Sequence, residues 1–309
     1  MSAVPTVAPD APATVTRAKS RRRAGRPPGS DKGIALPTLF MLAFLVYFLT
    51  PLTWLLIAST KSIDDLFNSF GLWFAHFNLI DNIKDTFAKD DGVYGTWLRN
   101  TLIYSTVSAI GAALLAAMAG YGFAKFAFRG KEALFWLVLG SVMVPTTALA
   151  IPTYLMFSKI GLTNNPLSII VPSLVSPFGI YLMRIYAEAS VPSDLMEAAR
   201  IDGAGEFRIF RGIAFRLLVP GFVTVLLFTF VATWNNYFLP LVMLSEPKWY
   251  PLTVGLAQWN VQANASGGST AAFNLVITGS LISVVPLIIA FIFLQRFWQS
   301  GLSTGSVKG

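Results

Sequence analysis

Of 309 residues, 54% are hydrophobic and 12% carry a charge, about half the charged share of an ordinary water-soluble domain; mean hydropathy is +0.62. Cysteine is absent and the single histidine is His76, which excludes disulfides, thioether-attached haem and cysteine-held metals. The net charge of +8 could fit a nucleic-acid binder, but the lysines and arginines sit at the ends of long apolar runs, where they set membrane orientation, and no nucleic-acid partner is expected.

Residues 1–32 are rich in Pro, Ala and Arg, with "SRRRAGR" near their end, and are expected to be a disordered basic tail that touches anionic lipid headgroups. The first apolar run, Ile34 to Ser59, is longer than the core of a secretory signal and is followed by no small-residue cleavage site, so it reads as an uncleaved first span. Further runs lie at Thr101 to Phe123, Leu134 to Phe157, Leu167 to Met183, Leu217 to Leu244 and Phe273 to Phe293. None contains Asp, Glu, Lys or Arg, and each approaches or exceeds the roughly 17 to 25 residues a membrane helix needs. The fold class is therefore an all-α integral membrane protein, a bundle of six transmembrane helices occupying residues 33–309.

Between the first two runs, "SFGLWFAHFNLIDNIKDTF" mixes aromatics with Ile80, Ile83 and Phe87. It is either a short helix on the membrane surface or a connector. His76, beside Trp73 and Phe77, belongs at the interface and not on a metal. In the second run, Ser108, Ala112, Ala116, Gly120 and Ala124 recur every fourth residue, with Ala109, Ala113 and Ala117 alongside. Such a stripe lets two helix backbones approach closely, so it is a packing face.

Prolines interrupt the later runs: Pro145 and Pro152, Pro172 and Pro177, Pro220 and Pro240, then Pro286. Each leaves a carbonyl without its helical donor, which protein or a water-filled cavity must satisfy. Polar residues within the runs are few. Thr146, Thr147, Asn235, Asn236 and Asn274 have interhelical hydrogen bonding as their default role; Thr146, Asn235 and Asn236 are also carried as candidates for lining a pathway. Basic residues crowd the tail and alternate loops (Lys125, Arg129, Lys131; Arg184, Arg200, Arg208, Arg211, Arg216) and follow the last run (Arg296, Lys308). That asymmetry places both termini, and the loop at 190–215, in the cytoplasm.

This loop, "SDLMEAARIDGAGEFRIF", is an amphipathic island. Pro192 and Ser193 mark a helix start, Asp194 and Glu197 suit its positive end, and Gly203 stops it. Beyond Gly205, Phe207, Phe210, Ile213 and Ala214 fall at helical spacing, opposite Arg208 and Arg211. The expected shape is a knob of two short helices; a loop lying on headgroups is the other reading.

"EAARIDGAGEFRIF" resembles the Glu-Ala-Ala loop of the transmembrane subunits of bacterial ATP-binding-cassette importers, in the Asp202-Gly203 form of sugar permeases. "IPTYLMFSKIGLTNNPLSIIVPSLVSPFGIYL", "WNNYFLPLVML" and the ending "LQRFWQSGLSTGSVKG" are similar to the maltose-type second permease subunit. The resemblance runs from about Lys32 to the end. It implies a permease of the bacterial plasma (inner) membrane that carries sugars or related polyol solutes. Its partners would be a second, different permease subunit, an ATPase dimer and an extracytoplasmic solute-binding protein. It further implies that Glu197, Ala198, Ala199, Asp202 and Gly203 dock into the ATPase, and that Gly305, Val307, Lys308 and Gly309 reach toward it. The family commonly has proline where this chain has Arg216, so the docking assignment stops at Phe210.

This chain has no cofactor of its own by this reading, ATP being bound by the partner ATPase. "RGKE" is the nearest approach to a phosphate loop, and it has Glu132 where Ser or Thr is needed and Lys125 in the place of the first glycine. A membrane enzyme lacks support, since no nucleophile–base pair or acid pair lies in the runs. An ion-gradient-driven transporter remains the alternative, although it would place ionisable groups inside its spans.

Overall fold

The computed structural model describes residues 31–265 and 272–305. The helices are α1 (Asp31–Ser59), α2 (Ile63–Asn68), α3 (Leu79–Lys125), α4 (Lys131–Ser141), α5 (Thr146–Lys159), α6 (Leu167–Ser173), α7 (Pro177–Ser190), α8 (Ser193–Ile201), α9 (Glu206–Ile209), α10 (Phe215–Trp234), α11 (Phe238–Met243), α12 (Leu252–Ala265) and α13 (Ala272–Gly305). A π-helical turn at Phe210–Ala214 joins α9 to α10, and a 3-10 turn occupies Pro247–Trp249. Of the tail expected to be disordered, 1–32, residues 1–30 lie outside the described residues, as do Val307, Lys308 and Gly309, while Asp31 and Lys32 open α1 in place of disorder; Gly305 is the last residue of α13.

Among the described residues, five helical segments are long and apolar enough to cross a membrane: Leu36–Ser59, Leu79–Lys125, Leu167–Ser190, Glu206–Trp234 and Phe273–Gln295. The third predicted run is not one helix. It forms α4 and α5, bent by 103° at the break before Thr146, and makes a sixth span only if the bent pair is counted as one. Pro145, the cap residue of α5, has no N–H to continue a helix and biases the residue before it away from helical geometry. The fifth run is also corrected. Its helix begins at Glu206, well before Leu217, and ends at Trp234, with the remainder forming the short α11.

The chain divides into two units at Pro51 and Leu52. In the first, residues 36–51 are exposed along α1 on every face, as befits a helix apolar all round. The second unit is built on α3, which packs along α7 and α10, with α12 and α13 beside it. Ser108, Ala109, Ala112, Ala113, Ala116, Ala117 and Gly120 are all buried, so the small-residue stripe is the packing face its spacing predicts. A β-carbon on Gly120 would stand 2.5 Å from the Cβ of Met183 and 2.7 Å from the backbone N of Arg184; α3 and α7 meet at van der Waals limits there.

α3 is bent near its start, where Asp90, Asp91 and Gly92 adopt left-handed φ of 50°, 58° and 78°. A helix does begin at Leu79, within the segment read as either a helix or a connector, and the indole Nε1–H of Trp259 holds Asp90 Oδ2 at 2.9 Å. At this end an aromatic core gathers Tyr94, Trp97, Trp234, Tyr250 and Trp259. Asn274 donates to Asn82 Oδ1 at 3.0 Å, the interhelical bond expected of it.

Candidate functional site

The island folds as a two-helix knob projecting from the end of the bundle where α3 finishes. α8 starts without a side-chain cap: Pro192 is the cap residue and Ser193 lies already inside the helix, so the expected serine cap does not form. Its far end is closed as the glycine predicts. Gly203 sits at φ 80°, its N–H donates to Arg200 O (3.0 Å), and the Ala204 N–H donates to Ala199 O (2.9 Å). This crossed pair is the Schellman arrangement, which a residue with a β-carbon would strain. Across the turn, Arg200 clamps Glu206 with Nε–Oε1 2.7 Å and Nη2–Oε2 3.3 Å. The guanidinium of Arg200 is raised above its ordinary pKa chiefly by this hydrogen bond, so the fork stays charged at any physiological pH.

Which face is buried differs in part from expectation. Met196 and Ile209 are buried in the core and Ala199 packs against it, whereas Phe207 is 73% exposed. The cause is the π turn: Ile209 and Ala214, five residues apart, are both fully buried, a spacing that a wider turn aligns and an α-turn does not. The knob's outward surface therefore carries Glu197, Ala198, Asp202 and Gly203, all exposed, beside Leu195, Ile201 at 87% and Phe207. Of the proposed docking residues only Ala199 is half-buried. Leu195 and Ile201 were not singled out by sequence reasoning, and Phe207 was placed with Phe210 and Ala214, on the other side; α8's own periodicity, with Met196 and Ala199 inward, would have found Ile201.

Arg216, the departure from the family's proline, lies exposed in an unbroken helix running from Glu206 into α10.

The knob's base is tied to α3. Tyr121 donates its hydroxyl to Met196 Sδ at 3.2 Å, and its ring lies 5.2 Å from that of Phe210. One turn on, the Lys125 ammonium donates to the carbonyl of Val191, the residue that ends α7. A cation there also meets the negative end of that helix. Beside it Arg184 joins α7 to α4, bonding Glu188 at 3.0 Å and Glu132 at 3.0 Å with its guanidinium 3.9 Å from the Phe135 ring centre. The hydrogen-bonded partners Tyr121 and Met196, Lys125 and Val191, and Arg184 and Glu132 lie 52 to 75 residues apart in sequence, and no local pattern announces them.

The candidate pathway residues occupy helix breaks. Thr146 opens α5 and is exposed; Asn235 ends α10, exposed, with its amide on the Val231 carbonyl at 2.9 Å; Asn236 is half-buried and accepts from Thr253. Asn235 and Asn236 thus lie at a helix end, outside the regular span assumed for them.

Fold and knob together define a polytopic helical membrane protein with a hydrogen-bonded amphipathic protrusion between two of its spans. A family model, the binding-protein-dependent transport system inner membrane component, matches residues 109–300, more than half the chain and all of the knob; the chain belongs to this family. The arabinooligosaccharides transport system permease protein AraQ of Halalkalibacterium halodurans is 34% identical over 87% of this chain and 93% of its own length. The lactose transport system permease protein LacG of Rhizobium radiobacter is 29% identical, over 87% and 94%. In fold, the chain is similar to part of a bacterial ABC transporter involved in import of the acidic polysaccharide alginate. There the TM-score is 0.77 at 22% identity, covering 89% of this chain and 100% of that one.

Proposed function

We propose that the chain is the translocation subunit of an ATP-driven carbohydrate importer and that its knob is the joint through which a separate ATPase drives it. The observation that carries this reading is the combination of a locked scaffold with an unpartnered apolar tip. Ile201 and Phe207 are 87% and 73% exposed on a turn fixed by a Schellman cap and a bidentate ion pair. A protrusion of that kind is a docking element. Glu197 and Asp202 flank the apolar tip and would meet basic groups of the ATPase. Swinging a pathway from 1:99 to 99:1 in favour of one state takes about 5.5 kcal/mol of differential binding. A braced knob can deliver that through rigid displacement; a floppy loop would dissipate it.

The relatives named for arabinose oligosaccharides and lactose, with one from Bacillus subtilis named for maltodextrin, support a sugar or oligosaccharide as solute. Family membership supports an extracytoplasmic binding protein and a second permease chain as partners. The loop charges support cytoplasmic termini and a cytoplasmic knob in a bacterial inner membrane. Thr146, Asn235 and Asn236, at breaks where backbone groups leave the helical ladder, are assigned to the pathway's lining. Gly305 and the residues after it are assigned to the ATPase side.

The test is uptake. Glu197→Lys and Gly203→Pro should abolish accumulation of solute while the protein remains in the membrane; normal uptake by both would refute the joint. In vesicles, uptake should need internal ATP and survive collapse of ion gradients, the reverse of what a gradient-driven carrier gives. The chain has no cysteine, so Glu197→Cys offers a single thiol, which an impermeant maleimide should modify from the inner face alone.

A further inference from the structure

The knob's displacement must enter the bundle somewhere, and its own two helices are only the first link. Each limb has a partner on the last turns of α3. Tyr121 reaches Met196 of α8 through its hydroxyl and Phe210 of the returning limb through its ring. Lys125, four residues on and on the same helix face, donates to the Val191 carbonyl, immediately ahead of Pro192 and the start of α8. Tyr121, Met196 and Val191 are all buried, which shelters the Tyr121 contacts from competing water, while Lys125 itself is half-buried. Above them α3 runs against α7 and α10 along the small-residue stripe, with no slack at Gly120.

From this geometry we infer that Tyr121 and Lys125 are positioning residues for transport: they fasten both limbs of the knob to α3, so that this helix receives its stroke along with α10, which continues the second limb. Both are assigned to act through the knob and not on solute or nucleotide. Lys125 holds the hinge carbonyl between α7 and α8, so that α8 cannot pivot about Pro192 while α3 stays still. Tyr121 fixes the spacing between the two limbs. The inference rests on the docking role proposed for the knob.

The experiment uses the assembled transporter, with its ATPase and binding protein, in proteoliposomes, and reads solute moved per ATP hydrolysed. Lys125→Met, which keeps the aliphatic stem and loses the donor, should lower that ratio by about tenfold or more with ATP hydrolysis continuing, and Lys125→Arg should restore it. Tyr121→Phe keeps the ring stack and loses one hydroxyl; its ratio should fall by about two- to fivefold. An unchanged ratio in Lys125→Met overturns the inference, as does a smaller yield of complex whose ratio is normal, since that marks a merely structural anchor. If Lys125→Met yields no complex, Tyr121→Phe decides alone, and an unchanged ratio there overturns it. Glu197→Lys is run beside them. Normal transport in that variant refutes the docking role itself, whereas its failure together with normal Lys125→Met refutes only the α3 linkage.

Discussion

Gly120 illustrates what one side chain can decide. Its missing β-carbon leaves room for the α7 backbone, and any replacement meets Met183 and Arg184 atoms at 2.5 to 2.7 Å, closer than packed atoms ever stand. Backbone cannot swing aside as a side-chain end can, so Gly120→Val should cost at least the 1 to 3 kcal/mol typical of overpacking, measured as a lower melting temperature of the detergent-purified protein. Gly122, two residues on, has open space around its α-carbon; Gly122→Ala should leave that temperature unchanged or raise it, since alanine favours helix. The stripe containing Gly120 was legible because period four survives in any straight helix. Tyr121 and Lys125 were not legible as a pair, because their partners arrive through α7, far along the chain, and a lysine after an apolar run reads first as a topology mark.

At the scale of elements, spans were found wherever the sequence was apolar and uncharged, but their interruptions were harder to place. Prolines said that α4 and α5 would not be straight; the 103° bend depends on what packs around Pro145, which spacing does not encode. The connection between α5 and α11 was likewise invisible. There Asn164, at φ 53°, accepts from the amides of Ser245 and Glu246 at 3.1 Å each and donates to the Glu246 carboxylate, while its own N–H bonds Met243 O at 2.8 Å. Asn164→Ala removes the side-chain bonds and leaves a left-handed residue without asparagine's tolerance for it, for an expected loss of about 1 to 3 kcal/mol. Glu246 is held below the ordinary carboxylate pKa by the Lys248 ammonium first and the Asn164 amide second. Because the folded value is the lower one, the stabilisation is complete above the unfolded-chain pKa and disappears as pH falls through the folded one. The melting-temperature gap between wild type and Glu246→Gln should therefore be widest near neutrality and close on acidification.

For the molecule as a whole, composition alone placed the chain in lipid, and the island was recognised as a knob from its glycine and its charges. What the pattern misassigned was the winding between knob and bundle. Phe207 was set on the inner face because regular α-helical counting puts it with Phe210 and Ala214, yet the Phe215 N–H bonds the Phe210 carbonyl five residues back, and the face turns. In an ideal α-helix Ile209 and Ala214 would point about 140° apart. The chain therefore behaves as a regular rod into which one surplus residue has been spliced. Excising Gly212, which borders only open space, should let the rod rewind with Ile209 and Ala214 four apart and still in phase, so that membrane insertion survives. Adding an alanine at the same place should throw the protrusion out of register with everything behind it and silence uptake.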